Sequence, residues 1–326
     1  MNSLYPLKFK PIFKDKIWGG DKIKTLFGKD FSPLPNCGES WELSGVENNL
    51  SVVTNGFLEG NTLEEIIEVY MADLVGEKIY DKFGLEFPIL VKIIDSNDWL
   101  SIQVHPDDKL AMKRHQQNGK SEMWYVLQAD QNAELINGFS QEVNEKKYLD
   151  YFKNGKLKEL LNFEKVKEGD VFDIPAGRVH ALGPGVCLAE IQQTSDITYR
   201  IYDWDRVDDK GNSRELHVDL ALDAIDFKFH DSYKIDGKPT VNASRNLVKS
   251  THFTTNIISI NKPLLRDYYS LDSFVILLCT EGNFTIEYEG GIEKVTKGET
   301  ILIPAELNDL NLVPDKTANL LEVYME

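Results

Sequence analysis

The chain has 326 residues, of which 42% are hydrophobic and 27% charged, and its 36 Lys and Arg against 53 Asp and Glu give a net charge of −17. These proportions are typical of a soluble globular protein and exclude a mainly disordered or fibrous chain. The acidic balance lacks the basic footprint that binding to nucleic acid or anionic lipid requires, so an anionic ligand would need a local basic pocket.

Targeting and redox signals favour the cytoplasm. No segment approaches the roughly 18–20 continuous apolar residues of a membrane span, and the N-terminal sequence MNSLYPLKFKPIFKDK lacks a signal-peptide pattern. Cys37, Cys187 and Cys279 are odd in number and have no CxxC spacing, which is typical of reduced thiols. We therefore expect a cytoplasmic protein without a nucleic-acid or membrane partner; the sequence indicates no oligomeric state.

Taken in chain order, strand patterns outnumber helical ones. Residues 62–83 have apolar residues at helical spacing after a plausible N-cap at Asn61 or Thr62, and residues 107–117 and 145–162 also have helical patterns. Runs rich in Val, Ile, Phe and Tyr, bounded by turn residues, read as strands. They are FPILVKII (87–94), EMWYVLQA (122–129), DVFDIPA (170–176), VCLAEIQQ (186–193), SFVILLCT (273–280) and ETILIPA (299–305). We predict a mainly β sandwich or barrel with inserted helices.

Two segments indicate an internal repeat. GDVFDIPAGRVH (169–180) and GETILIPAELND (298–309) share the pattern Gly-x5-Pro-Ala, and each follows a strand-like run. The interval between run and glycine is longer in the first copy, where it contains the helical residues 145–162. An insertion of about one helix would therefore explain the difference.

The first copy resembles the second conserved motif of the cupins, which are double-sheet jelly rolls that often hold a metal. The pattern Gly-x5-Pro-x-Gly-x2-His is met by Gly169, Pro175, Gly177 and His180. In the second copy Asp309 takes the His position and Ser273 takes the position of Glu122. We therefore expect two cupin-like jelly-roll barrels with inserted α-helices. Residues 1–230 would form a catalytic metal-binding domain, and residues 231–326 a degenerate domain without metal ligands.

Four residues have the chemistry of a metal site. SIQVHPDD (101–108) places Gln103 and His105 two residues apart, so that in a strand both side chains lie on one face. Glu122 and His180 complete a set of two imidazoles, a carboxylate and an amide oxygen. Zn²⁺ accepts such a set and keeps positions open for water or substrate. Two histidines and a carboxylate also suit a non-haem iron oxygenase, which is one alternative.

Several segments together resemble the type I phosphomannose isomerases, in the short bacterial form. They are SIQVHPDD, GKSEMWYVL (119–127), IPAGRVHAL (174–182), SDITYR (195–200), WGG (18–20), GESWELSG (38–45) and RELHVDLALDAI (214–225). The similarity covers about the first 230 residues. It implies an enzyme that uses one zinc ion to interconvert mannose 6-phosphate and fructose 6-phosphate. By motif position it implies Gln103, His105, Glu122 and His180 as zinc ligands and Arg200 as an essential arginine.

This chemistry also needs a general base and groups that hold the phosphate. Aldose–ketose isomerisation moves a proton between C1 and C2 through an enediol, and the candidate bases are Glu190, which we prefer, and Asp196. Arg200 offers a fixed cation for an enediolate or a phosphate.

Other residues are candidates for substrate contact. Lys120 and Arg206 sit where the family carries basic pocket residues, and we count Lys120 with Arg200 and Glu190 as a candidate catalytic residue. Ser101 could donate a hydroxyl hydrogen bond, and Trp18 could pack on the sugar or plug a barrel. Arg178 departs from the family, which more often has a small residue there. A second alternative is a cupin that binds a sugar phosphate without turning it over.

Overall fold

The structure is a computed structural model that describes residues 3–207 and 210–326. The helices are α1 (Lys22–Phe27), α2 (Leu63–Tyr70), α3 (Ala72–Val75), α4 (Glu77–Phe83), α5 (Asp108–His115), α6 (Glu145–Lys153) and α7 (Val218–Ala224), with 3₁₀ turns at Gly56–Leu58 and Leu157–Leu160.

The first strands are β1 (Leu7–Lys8), β2 (Ile12–Lys14), β3 (Glu39–Leu43), β4 (Ile89–Ser96), β5 (Ile102–Val104), β6 (Glu122–Ala129), β7 (Glu134–Phe139), β8 (Leu161–Lys165), β9 (Asp170–Ile174), β10 (His180–Leu182) and β11 (Val186–Gln193). The later strands are β12 (Tyr199–Tyr202), β13 (Lys234–Asp236), β14 (Ala243–Lys249), β15 (Thr254–Ile260), β16 (Leu264–Asp267), β17 (Val275–Glu281), β18 (Asn283–Tyr288), β19 (Gly291–Thr296), β20 (Thr300–Ile303), β21 (Asp309–Pro314) and β22 (Ala318–Tyr324). The protein is mainly β, as predicted.

The chain divides into two compact units that are each discontinuous in sequence. The first unit contains the residues up to Ile12, Ser40–Lys92 and Asp236–Glu326. The second unit contains Phe13–Glu39 and Ile93–Ile235. All the predicted site residues therefore belong to the second unit.

Two antiparallel sheets build each unit, and their strand orders correspond. In the second unit β9, β6, β11 and β4 are consecutive in one sheet, and β8, β7, β10 and β5 are consecutive in the other. In the first unit the matching orders are β20, β17, β22, β15 and β19, β18, β21, β16. The repeat inferred from sequence is thus present as a repeated strand topology. Helix α6 lies in the chain between β7 and β8, which is the predicted insertion.

Buried apolar side chains from both sheets of a unit form one cluster. In the second unit Trp124 and Phe172 of one sheet cluster with Leu135 and Leu182 of the other. The opposite face of the β5–β10–β7 sheet packs against the helices, where Tyr148 of α6 is fully buried. Gly169 and Gly298, which open the two copies of the repeat, both have φ of 83°, a conformation that favours glycine over other residues.

The predicted helix at 62–83 is three short helices instead. Met71 has φ of 48° and Gly76 has φ of 96°, so the chain leaves the helical conformation twice within this apolar pattern. Thr62 is the N-cap, since its hydroxyl accepts from the Glu65 backbone N–H. Similarly, helix α6 ends at Lys153, and the rest of the predicted helix 145–162 is a 3₁₀ turn that leads into β8.

The helix predicted at 107–117 is present as α5, capped by the Asp107 side chain, which accepts from the Leu110 N–H. Within the described residues, no helix combines the length and apolar character that crossing a bilayer would need.

Candidate metal centre

The register of four neighbouring strands lines up four polar side chains. In the β12–β5–β10–β7 sheet, Arg200 is the Cα partner of Gln103, Gln103 of His180, and His180 of Asn137. Residues directly opposite on paired strands point to the same face of a sheet. These four residues, which we call the cross-strand row, therefore share the face opposite the helix-covered one.

Three ligand-type side chains converge beside this row. One ligand atom each from His105, Glu122 and His180 lies within 4.8 Å of the others, and all three residues are buried. The Nε2 of His105 is 3.1 Å from Glu122 Oε1, and the Nε2 of His180 is 3.9 Å from Glu122 Oε2. The three come from β6, the start of β10 and the residue after β5, so the fold brings together what the sequence separates.

Both imidazoles are oriented by backbone carbonyls. His105 Nδ1 lies 2.8 Å from the carbonyl oxygen of Ile197, and His180 Nδ1 lies 2.8 Å from that of Arg178. A carbonyl only accepts, so each Nδ1 carries the hydrogen and each Nε2 keeps its lone pair for the shared centre. Burial and the nearby charge of Lys120 lower the pKa of His105 to about 4, and burial also lowers the pKa of His180. Both rings are therefore neutral at pH 7, as metal ligation requires.

Glu122 is a buried carboxylate, and its negative charge requires a compensating positive charge nearby. Burial alone would raise its pKa, but the charge of Lys120 and the interactions with His105 hold that pKa well below its ordinary value. Lys120 Nζ is 2.7 Å from Glu122 Oε1. In the part of the chain that the structure describes, neither carboxylate oxygen accepts a hydrogen bond of normal geometry. These buried oxygens and the two Nε2 lone pairs, which face the same centre, fit a divalent metal ion.

Gln103 and Ser101 border this set. The Gln103 Nε2 is 3.2 Å from His180 Nε2, and a half-turn of the amide presents Oε1 at the same place. Ser101 is buried two residues earlier in the chain. The structure thus places Gln103 against His180, one of the three convergent ligands.

Of the two candidate bases, only Glu190 is buried. Glu190 is 4% exposed, whereas Asp196 is exposed to solvent. Strand pairing of Trp124 with Glu190, and of Glu122 with Gln192, puts Glu190 on the same face of its sheet as Glu122. The indole Nε1 of Trp124 donates to Glu190 Oε2 at 2.9 Å and so fixes the carboxylate.

Arg200 belongs to a cluster of three arginines around one carboxylate. Arg206 Nη2 is 2.6 Å from Asp203 Oδ1, and Arg214 binds the same carboxylate, with its Nε 2.7 Å from Oδ2. The Arg200 Nη1 donates to the Glu215 carbonyl at 2.8 Å, but its buried Nε has no hydrogen-bond partner among the described residues. Burial and the charge of Arg214 lower the pKa of Arg200. The cluster concentrates three guanidinium groups within an acidic protein.

Arg206 and Trp18, which were predicted to contact the substrate, already contact other residues of the protein. Arg206 donates to the Trp99 carbonyl at 2.6 Å in addition to its pairing with Asp203. Trp18 is buried in the apolar cluster that includes Trp124 and Phe172. Their contact with substrate stays a prediction.

The residues that the sequence analysis missed are Asp203, Arg214, Trp124 and Asn137. Arg214 opens the segment RELHVDLALDAI, which supported the resemblance but had no assigned role. The relevant signal for Trp124 was its position two residues after Glu122, which places both side chains on one face. No signal in the sequence pointed to Asn137, because only strand register sets it beside His180.

The second copy of the repeat has other residues at the equivalent positions. Ile174 pairs with Glu122 and Ile303 pairs with Val275, and each isoleucine directly precedes the repeated Pro-Ala. The counterpart of Glu122 is therefore Val275, and the predicted counterpart, Ser273, is wrong by two residues. The equivalence depends on strand register, which the sequence pattern does not encode.

Comparisons with known proteins agree on one family. Residues 6–154 match the family model described as phosphomannose isomerase type I, catalytic domain. The chain is 36% identical over 312 residues to a mannose-6-phosphate isomerase of Streptococcus mutans, which covers 92% of each chain. It is 35% identical over 313 residues to the mannose-6-phosphate isomerase ManA of Bacillus subtilis, which covers 94% of this chain and 95% of that one.

Solved structures give the same result. The crystal structure of a mannose 6-phosphate isomerase from Bacillus subtilis superposes with a TM-score of 0.85 at 31% identity, over 98% of this chain and 99% of that one. A structure of a mannosephosphate isomerase candidate from Archaeoglobus fulgidus has a TM-score of 0.80 at 20% identity, which supports the fold alone.

Proposed function

The chain belongs to the type I phosphomannose isomerase family, and from that premise we propose that it interconverts mannose 6-phosphate and fructose 6-phosphate through an enediol or enediolate. The observation that carries the proposal is the buried convergence of His105, Glu122 and His180, with Lys120 against the carboxylate. A metal-dependent isomerase needs deprotonated ligands for its ion and a fixed cation near the reacting oxygens, and this arrangement fits both requirements.

We propose that His105, Glu122, His180 and Gln103 hold one Zn²⁺. The mixed nitrogen and oxygen donors favour zinc, and the orphaned oxygens of Glu122 support an ion rather than a hydrogen-bonded pair. When bound, such an ion supplies Lewis-acid stabilisation of the substrate oxygens as negative charge develops on them.

The remaining steps fall to side chains of the chain itself. Glu190, held by Trp124, would move the proton between C1 and C2. Lys120, which already contacts Glu122, would donate hydrogen bonds to the sugar oxygens O1 and O2. Arg200, whose Nε has no partner within the described ranges, would face the enediolate or the phosphate.

We propose that substrate contacts also come from Ser101, Arg206 and Trp18. Arg206 would act through the arginine cluster around Asp203, since its own donors are engaged.

We propose that the paired sheets of each unit form a cupin-like jelly roll. Catalysis would be confined to residues 1–230, and the second copy of the repeat, within residues 231–326, would have no metal ligands. The replacement of Glu122 by Val275 in that copy supports the distinction, because valine cannot ligate a metal. The buried thiols of Cys37, Cys187 and Cys279 are in line with a cytoplasmic location.

A coupled assay of mannose 6-phosphate to fructose 6-phosphate tests the function. The protein is assayed as purified, after chelation and after addition of Zn²⁺. We expect turnover that is lost on chelation and restored by zinc. Absence of turnover with every divalent metal tried would contradict the proposal, and stoichiometric iron with oxygen consumption would replace it with an oxygenase.

Ligand variants test the metal assignment separately. His105→Asn and His180→Asn should each lose bound metal and at least 100-fold of kcat, since a ligand to a catalytic ion is removed. Full metal content and activity in either variant would rule out that residue as a ligand.

A further inference from the structure

Arg178 is a buried cation that has no ion pair with any residue the structure describes. Its side chain is 9% exposed, and it sits at the one motif position where the chain departs from the small residue expected there. Within the described residues, no carboxylate oxygen lies within 4.0 Å of its guanidinium. Asp173 and Asp226 act on its pKa only as more distant charges, against the larger effect of burial. Burying a charge without pairing it is costly unless another group compensates.

Three neutral groups from two segments hold the guanidinium in place. It lies 4.7 Å from the ring centroid of Tyr233, its Nη1 donates to Asn137 Oδ1 at 3.5 Å, and its Nη2 is 3.4 Å from His230 Nε2. The Tyr233 ring is itself fixed, since its hydroxyl donates to the Phe139 carbonyl at 3.0 Å. The guanidinium is therefore positioned but not neutralised.

Asn137 adds an independent observation. It is fully buried, and its Nδ2 has no hydrogen-bond partner in the ranges 3–207 and 210–326. Because its Oδ1 faces Arg178, the amide nitrogen is left as an unused donor. A buried polar group without a partner destabilises the folded state, so an acceptor at this position would be favourable.

The two groups lie beside the metal centre on its side away from Arg200. Asn137 is the end of the cross-strand row, next to His180, while Arg200 is the opposite end. The backbone carbonyl of Arg178 is also the one that orients His180. The row therefore has a cation at Arg200, ligands in the middle, and a second cation with an amide donor at its far end.

We propose that Arg178 and Asn137 form an oxyanion subsite that binds a phosphate group. The Asn137 amide N–H is an unused donor, and the buried guanidinium has no negative charge beside it, although neutral groups hold it. A phosphate supplies both the acceptor oxygens and the negative charge. The phosphate has two sources, the substrate's own phosphate or a free oxyanion, and only the first of these rests on the proposed function.

The test titrates inorganic phosphate into the metal-loaded protein by calorimetry and compares four forms. Arg178→Met removes the charge but keeps the stem that lies on Tyr233. Asn137→Asp is nearly isosteric, replaces the donor, and gives Arg178 an internal carboxylate, so this variant should fold. Lys228→Met is the control, because Lys228 is an exposed lysine in the same region.

We expect phosphate binding to weaken by about tenfold or more in Arg178→Met and in Asn137→Asp, since each loses a charge-assisted hydrogen bond. The Lys228→Met protein should bind within twofold of the wild type. Binding that is equal in all four forms, or absent from the wild type, would overturn the subsite.

Kinetics on the same variants separate the two sources. A KM for mannose 6-phosphate that rises together with the phosphate Kd assigns the subsite to the substrate's phosphate. An unchanged KM with weakened phosphate binding assigns it to a free oxyanion. If the wild type turns over no mannose 6-phosphate yet binds phosphate through Arg178, the proposed function fails and the subsite stands. If the wild type turns over mannose 6-phosphate but Arg178→Met binds phosphate as well as the wild type, the proposed function stands and the subsite fails.

Discussion

At the scale of single residues, the sequence was informative wherever side chains are close along the chain. The two-residue spacing of Gln103 and His105 predicted a shared face, and both lie beside His180. The partners that come from other strands were not predictable in the same way. Trp124 holding Glu190, and Asn137 beside His180, both depend on strand register, which no local pattern encodes.

Glu190→Gln should separate the two candidate bases. Glutamine keeps the shape and the contact with Trp124 but cannot accept a proton, so kcat should fall by about 10²–10⁴ while bound metal is retained. Asp196→Asn is the matched control, and because Asp196 is exposed we expect less than a threefold change. Steady-state kinetics with metal analysis test this prediction. A larger loss of kcat in Asp196→Asn than in Glu190→Gln would identify Asp196 as the base.

Lys120→Met should lower kcat by at least tenfold without loss of the metal. The methionine keeps the bulk of the side chain, but removes the ammonium that lies 2.7 Å from Glu122 and would face the sugar oxygens. Lys109→Met, an exposed lysine of α5, serves as control and should be unchanged. If activity and metal content fell in the same proportion, Lys120 would be a structural partner of Glu122 instead.

At the scale of elements, periodicity located the helices but not their ends. The apolar spacing at 62–83 continues through Met71 and Gly76, where the backbone leaves the helix. Gly76 was a visible signal for one break, since glycine readily adopts positive φ. Met71 gave none, because methionine is a good helix former.

The N-terminus of α2 offers a stability test at this scale. Thr62 and Glu65 form a capping box, in which the Thr62 N–H donates to Glu65 Oε2 at 2.8 Å. Thr62→Ala should lower the free energy of unfolding by about 1 kcal/mol, and Thr62→Ser by much less because it keeps the hydroxyl. Urea denaturation of both variants checks this, and equal losses would show that the hydroxyl is not what matters.

The loop after β12 should show a defined pH dependence. Burial acts to raise the pKa of Asp203, but hydrogen bonds from Arg214 and Arg206 hold it below the ordinary 3.8. A depressed carboxyl pKa stabilises the fold above the unfolded pKa, and the stabilisation is lost as pH falls through the folded one. Asp203→Asn should therefore cost on the order of 1–2 kcal/mol at pH 7.

This cost should shrink below about pH 4, since the wild-type carboxyl then also becomes protonated. Unfolding free energies of both proteins between pH 2 and pH 7 provide the comparison. A difference that stays constant across that range would mean that Asp203 acts through shape rather than charge.

At the scale of the whole molecule, the sequence revealed the repeat because the two copies share Gly-x5-Pro-Ala. It did not reveal how the chain is divided between units. Phe13–Glu39 belongs with Ile93–Ile235, while Ser40–Lys92 belongs with the C-terminal residues. Contacts between segments distant in sequence leave no local pattern. A single boundary between residues 230 and 231 therefore does not describe how the segments are divided between the two units.

Metal binding should stabilise the protein through the first copy of the repeat alone. At a free zinc concentration of 100 times the Kd, the folded state gains about 2.7 kcal/mol, which raises Tm. His180→Asn should abolish this rise. Asp309→Asn, the change at the equivalent position of the other copy, should leave it intact, and thermal scans with and without zinc would reveal any contribution from that copy.

The cross-strand row has a consequence for how this protein matures. Its members come from β12, β5, β10 and β7, and a slip of one residue in any of these pairings would turn a side chain to the wrong face. Because Gln103 and His180 are proposed ligands, a chain in which β5 and β10 are out of register could not bind the ion through both. Zinc binding would therefore depend on correct strand register. The amount of bound zinc per chain after refolding would measure the fraction of molecules that have reached it.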